Sequence, residues 1–317
     1  MITINYLPYR RIHFHSLLFH FMNLIKEENK KELILNIYTS DVGYFQQVVG
    51  KLKNIKYKII PSNKIYISKI QEIKKYNNEE YSIKLDEDIF LNNHIWDYMI
   101  ENKHLLNDKE NLLLTPLLSC GIPTNDYFVN GYFNEEQQEQ IRSTFLKVDF
   151  GIVPTCWGYD YRHLNKYTIQ AETWDYEAFL EEANNINHHF KGVHPIRIGY
   201  ECQRIFNQLL SDNPENFVNC QKFSIMPLKN RYFTNSFFLI KSQTWLEILN
   251  NKSLYVDPYD EVPLNKYAQK YDLNMLFING AFAIHTNYNT NMHPDKHTQQ
   301  ENTFVKKIED YCKRILI

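Results

Sequence analysis

Asp86 and Asp88, with Glu87 between them, follow directly on the run Tyr81-Ser82-Ile83-Lys84-Leu85 and precede Ile89-Phe90-Leu91. Carboxylates this close repel one another when they are drawn out of bulk water, so the arrangement asks for a cation. A divalent ion that takes oxygen ligands, Mg²⁺ or Mn²⁺, removes the penalty and keeps positions open for substrate phosphates. Such an ion, bridging a diphosphate, neutralises charge that grows as the bond to that phosphate breaks. Read locally, the same three residues also make an ordinary solvated acidic turn. What separates the two readings is the chain around them.

Four segments read as strands before or at the acidic triplet: Ile2–Leu7, Leu33–Tyr38, Tyr57–Ile60 and Tyr81–Leu85. Between and after them, His13–Glu27, Val42–Leu52, Ile65–Tyr76 and Asn93–Leu105 carry apolar residues at helical spacing. Gly43 weakens the start of the second helix, Pro61 stops the third strand, and Asn92 or Asn93 suits an N-cap. This alternation predicts βαβ units, hence a mostly parallel sheet with helices on both faces. In open sheets of that kind ligands bind beyond the carboxyl ends of the strands, which is where the triplet stands. Leu112–Leu118 is a further apolar run, and the alternation breaks after Gly121. Beyond it, helices are expected over Asn134–Lys147, Trp174–Phe190, Tyr200–Leu210, Gln243–Leu249 and Val262–Tyr271. Strands are expected over Phe233–Ile240 and Leu276–Ile284, and Phe150–Tyr161 is irregular and rich in aromatics.

The segment Lys84-Leu85-Asp86-Glu87-Asp88-Ile89-Phe90-Leu91 resembles the D-x-D element of GT-A glycosyltransferases, with apolar residues leading in and a short apolar turn following. The later order is similar too: Phe233-Thr234-Asn235-Ser236-Phe237-Phe238-Leu239-Ile240, then Trp245, then Asp257-Pro258-Tyr259-Asp260-Glu261, and last Ala283-Ile284-His285-Thr286. The resemblance implies an α/β, Rossmann-like GT-A fold. Residues 1–120 would form the nucleotide-sugar-binding half, and 121–317 an elaborated acceptor-side half of the same domain. It implies a metal-dependent transfer of a sugar from a nucleotide-diphosphate donor, a UDP-sugar by preference, to a glycan or lipid-linked acceptor.

Carried over residue by residue, Asp88 ligates Mn²⁺ or Mg²⁺, Asp86 contacts the ribose or the metal, and His285 completes the metal's shell. Lys84 stands beside them on the donor side. Tyr6, Tyr9 and Arg10, at and after the first strand, fall where such enzymes hold base, ribose and phosphate, and Asp41 falls where they contact the base. Asp260 or Glu261 takes the proton of the acceptor hydroxyl if the reaction inverts. This chain has Asp260-Glu261 where the family commonly has Glu-Asp, which leaves the identity of the base open. Asp257 before Pro258 and two acidic residues is also a good helix start.

Other histidines are better explained structurally. His13, His15 and His20 fall on a helix packed against a sheet, and His188, His189 and His194 stand at a helix end. Trp157, Tyr159, Tyr161 and Trp174 suit a sugar-stacking surface but suit a buried core better.

Composition narrows the field. The 317 residues carry a net charge of -2, with 44% hydrophobic and 23% charged residues, an ordinary globular balance with no basic footprint for nucleic acid. The 15% of aromatic residues, like the many Asn, Lys and Ile, fits an AT-rich coding sequence before it fits a sugar cleft. Cys120, Cys156, Cys202, Cys220 and Cys312 form no C-x-x-C pair and suit reduced thiols in a cytoplasmic protein. Residues 1–11 lack the pattern of a signal peptide. The stretch Phe304–Ile317 mixes basic and apolar residues and leaves peripheral membrane contact open, though an amphipathic helix explains it. Two other classes remain as alternatives. A sugar-nucleotide nucleotidyltransferase would also use paired carboxylates, but no Gly-rich basic loop follows the first strand. A non-catalytic glycan-binding relative would need no intact Asp86 and Asp88. A helicase is excluded, because the sequence contains no G-x-x-x-x-G-K-[ST].

Overall fold

The computed structural model describes residues 1–8, 12–63, 66–87, 89–91, 93–118, 133–145, 223–229, 236–254 and 261–285, together with 303, 306, 307, 310 and 314. The chain divides into two compact units. Met1–Pro116, Val218–Asn230 and Asn235–Ala283 form the first; Leu117–Phe217, Arg231–Thr234 and Ile284–Ile317 form the second.

In the first unit the expected alternation is present. Strands β1 (Ile2–Leu7), β2 (Leu33–Thr39), β3 (Lys56–Pro61) and β4 (Tyr81–Asp86) are joined through helices. These are α1 (Ile12–Asn23), the short α2 (Glu27–Lys30), α3 (Val42–Val48) and α4 (Tyr66–Tyr76). After β4 come β5 (Ile89–Leu91), α5 (Asn93–Glu101) and β6 (Asn111–Leu118). Pro61 does not stop β3 short but is its last residue, tolerable because β3 is the edge of the sheet and a missing N–H there costs no ladder bond.

Among the described residues the sheet has nine strands in the order β3-β2-β1-β4-β8-β6-β9-β5, with β7 (Ser224–Leu228) paired to β9; β8 is Phe237–Lys241 and β9 is Asn274–His285. β1 pairs in parallel with both β2 and β4, and β2 with β3. The parallel pattern ends at β8, which runs antiparallel to β4 and to β6, and β7 runs antiparallel to β9. The sheet is therefore mixed where a mostly parallel one is expected. Phe237-Phe238-Leu239-Ile240 is buried on both faces, and such a run carries no mark of strand direction.

Register explains the layers. Tyr6, Ile37, Leu85 and Phe237 lie side by side across four strands and face one way. Onto that face pack His15 of α1, Phe45 of α3 and Trp96 of α5, the last edge-on to Phe237 at 5.4 Å. The opposite face presents Asn36, Asn5, Lys84 and Phe238 in the next row. There α7 (Ser242–Asn250) sets Trp245 edge-on to Phe238 at 5.4 Å. Asn77, just past α4, accepts from Asn5. Helices thus cover both faces.

The second face is unusually polar for a sheet centre, and most of its groups find partners, although Asn36 Oδ1 and Asn77 Nδ2 are buried without one. The Tyr38 hydroxyl donates to Asn5 Oδ1 at 2.8 Å, and the Ser82 and Ser242 hydroxyls meet at 2.6 Å. Burial pushes the Tyr38 phenol's pKa far up.

In the second unit a helix over Glu135–Phe145 (α6) is described. It begins with a reciprocal cap: the Gln137 N–H donates to Asn134 Oδ1 at 2.9 Å, and the Asn134 N–H to Gln137 Oε1 at 3.1 Å. Helix α8 (Glu261–Lys270) belongs to the first unit and leads through Asn274 into β9. No helix among the described residues is long and apolar enough to cross a membrane.

Candidate functional site

The chain lays β1, β2 and β3 to one side, then returns to place β4 on the other side of β1. In open α/β sheets ligands bind beyond the carboxyl ends of the strands. Leu7 and Asp86 are register partners at that edge. The strand order therefore brings Asp86 to the carboxyl edge of the sheet, beside the end of β1.

Lys84 and Asp86 are two apart on β4 and project from the same face. Lys84 is 1% exposed, and its ammonium donates to both carboxylate oxygens of Asp86, at 2.9 and 3.1 Å. Asp86 keeps 25% of its side chain exposed, and its N–H donates to the Ser236 carbonyl at 3.0 Å. The carboxylate is thus fixed from behind by a charge and from its own backbone by the neighbouring chain, with one side toward solvent. A charge-assisted pair of this form is stronger than a neutral hydrogen bond.

Glu87 turns the other way and is buried, with Oε2 at 3.5 Å from His15 Nε2 on α1. The imidazole lies in an aromatic nest: Phe45 at 4.7 Å, Tyr44 at 5.5 Å and Tyr6 edge-on at 5.7 Å between ring centres. A second ammonium comes from α4, where the buried Lys69 donates to the Pro8 carbonyl just past β1. Burial pulls its pKa down to about 8, against Glu87 and Asp86, whose negative charges pull it back up.

The cation that the acidic triplet calls for is therefore partly supplied by the chain itself. Lys84 answers Asp86, His15 meets Glu87, and Lys69 lies within the field of both carboxylates. Carboxylate oxygens are the hard donors Mg²⁺ and Mn²⁺ prefer, and a quarter of the Asp86 side chain is exposed. Among the described residues no group of three His, Cys, Asp or Glu is placed to hold a metal. Asp88 lies outside the described residues, as do Tyr9, Arg10 and Asp260. Glu261 opens α8 and His285 closes β9, but their side chains are likewise outside the described set.

The chain matches no protein-family model and no curated protein.

Two other expected donor-site residues are in view. Tyr6 is fully buried beneath His15 and Phe45, inside the layer between the sheet and the helices α1 and α3. Asp41 is exposed at the end of β2 and caps α3, accepting from the Tyr44 N–H at 3.0 Å. Its own N–H donates to Thr39 Oγ1 at 2.9 Å. Sequence reasoning missed the roles of His15, Glu87 and Lys69. A buried carboxylate needs a partner, so Glu87 hinted at one. Nothing in the spacing of α4 singles out Lys69 from its neighbours.

Proposed function

We propose that the chain is a metal-dependent glycosyltransferase of the GT-A type, taking its sugar from a nucleotide-diphosphate donor. The observation that carries this reading is the placement of Asp86. It ends β4 where the strand order reverses, opposite the end of β1, with its carboxylate already oriented by Lys84. A diphosphate needs positive charge and oriented acceptors for the sugar or ribose hydroxyls, and this edge offers both kinds of group.

In this reading Asp88 would hold Mn²⁺ or Mg²⁺, and Asp86 would serve the ribose or the metal. The ion, when bound, would offset the charge of the departing diphosphate. The chain's own residues do the rest. Asp86 accepts from hydroxyl groups of the donor. Lys69 fixes the end of β1, from which the donor-side loop departs. Asp260 or Glu261 takes the acceptor's proton. The acceptor is a glycan or a lipid-linked acceptor.

The test is calorimetry with UDP, GDP and CMP, each with and without Mn²⁺, followed by assay of slow UDP-sugar hydrolysis. A nucleoside diphosphate is expected to bind only with the ion present. Asp88→Asn should abolish that binding while far-UV circular dichroism stays unchanged. Unaltered affinity in the variant would remove the assignment.

A further inference from the structure

We infer that the β3 edge of the sheet is a docking surface for an anionic lipid membrane, built from Lys53, Lys56 and Lys58 with Tyr57 among them. It lies apart from the β1–β4 edge and does not depend on sugar transfer there.

The sequence concentrates positive charge at this place. The chain has 37 acidic residues and a net charge of -2, yet none of the acids falls from Val42 to Gln71, a stretch with six lysines. In the fold that stretch supplies α3, a 3-10 turn (Val49–Lys51), β3 and the first half of α4. It brings Lys51, Lys53, Lys56 and Lys58 to the surface. The side chains of Lys53, Lys56 and Lys58 form no ion pair among the described residues. Glu27, which reaches the adjoining Asn54, is already answered by Lys30, and Glu72 of α4 by Lys75.

The surface is also held in shape. At the end of α1, Asn23 Nδ2 donates to the Lys51 carbonyl and Asn23 Oδ1 accepts from the Lys53 N–H, each at 2.8 Å. Asn54, with φ of 61°, then turns the chain into β3. That strand ends the sheet and is paired to β2 on one side. Lys56 and Lys58 project from one of its faces and Tyr57, 46% exposed, from the other. Lysines on an edge strand also keep foreign strands from pairing. That explains Lys56 and Lys58 but not Lys53, which stands in the pinned loop before the strand.

Charge complementarity selects the partner. From Val42 to Gln71 there is no arginine, the residue suited to forked contacts with a single phosphate. Lysines alone give a diffuse attraction, which fits a layer of anionic headgroups. Tyrosine, apolar in its ring and polar at its tip, fits the same boundary.

The experiment sediments the full chain with vesicles of phosphatidylcholine, alone or with about a third phosphatidylserine, at physiological salt. Each lysine close to an anionic leaflet should strengthen binding about fivefold. The wild type should therefore sediment with the anionic vesicles, not with the neutral ones, and added salt should release it. Lys53→Gln, Lys56→Gln and Lys58→Gln combined should weaken binding on the order of a hundredfold. The same three positions changed to Arg should retain it. No binding by the wild type, or equal binding by the folded Gln variant, would overturn the inference. So would tighter binding to a DNA or RNA duplex than to the anionic vesicles. If the triple Gln variant misfolds or self-associates, Lys53→Gln alone decides, because it lies off the strand: about a fivefold loss supports the inference, and an unchanged affinity overturns it.

Discussion

Lys69 offers a test of the charge arrangement that needs no ligand. Its ammonium is buried against the Pro8 carbonyl, and burial lowers its pKa to about 8 from the ordinary 10.5. In the unfolded chain the group regains its ordinary value. Between those two values the unfolded state therefore holds more protons than the native state, and stability must rise with pH across that window. Below pH 8 both states are protonated and the contribution is constant: the native protein carries a buried charge at full cost. At about 1.4 kcal/mol per pH unit, a gap of roughly 2.5 units sets a ceiling of about 3 kcal/mol for the gain. Tyrosines and other lysines titrate over the same range, so the wild type alone is uninformative. The useful quantity is the difference between wild type and Lys69→Met, in which those groups cancel. Urea unfolding at pH 7, 8, 9 and 10 measures it. The wild type should gain on the variant from pH 8 upward, by more than 1 kcal/mol at pH 10 on this reckoning. A difference that stays flat from pH 7 to pH 10 would show that the ammonium is well solvated or well paired, and would refute the account of Lys69 as a desolvated charge.

Two further outcomes follow from the same edge of the sheet. Asp41→Ala removes the cap of α3 and should cost about 1 kcal/mol in unfolding free energy, with Asp41→Asn recovering most of it; a loss of nucleotide affinity in the Asn variant as well would add base contact to the capping role. Glu87→Ala strips the buried partner from His15 and should cost about 1–3 kcal/mol in thermal or urea unfolding. Glu87→Gln, which still accepts from the ring, should cost less, and equal losses for the two would show that charge rather than hydrogen bonding holds the pair.

Much of the first unit is legible because its periodicities are clean. Ile2, Ile4 and Tyr6, alternating with Thr3 and Asn5, announce a strand, and Phe14, Leu17, Leu18 and Phe21 announce a helix. The structure places β1, β2, β4, α1 and α4 within a few residues of those expectations. Two kinds of feature escaped. One is strand direction and identity where the run is short: β5 is three residues of an apolar turn by sequence, and β7 contains Pro227, which argues locally against a strand. Only pairing with β9 organises it, and pairing is a property of the fold. The other is long-range polar contact. His15 and Glu87 are 72 positions apart, and helical spacing on α1 says which face His15 occupies but not what waits there.

Lys84 stands between these cases, and it shows what a strand pattern can say about charge. A lysine flanked by Ile83 and Leu85 in a strand buried on both faces has nowhere to carry its ammonium except along its own face. On that face the next residue toward the strand end is Asp86, by the two-residue period alone. The pair was therefore readable from Lys84-Leu85-Asp86 without any fold, and it changes the inference drawn from the acidic residues. Neighbouring carboxylates ask for positive charge, but the nearest source is in the sequence two residues earlier. An acidic motif preceded at the i−2 position by a buried lysine should accordingly be weaker at gathering a free metal ion than one preceded by an apolar residue.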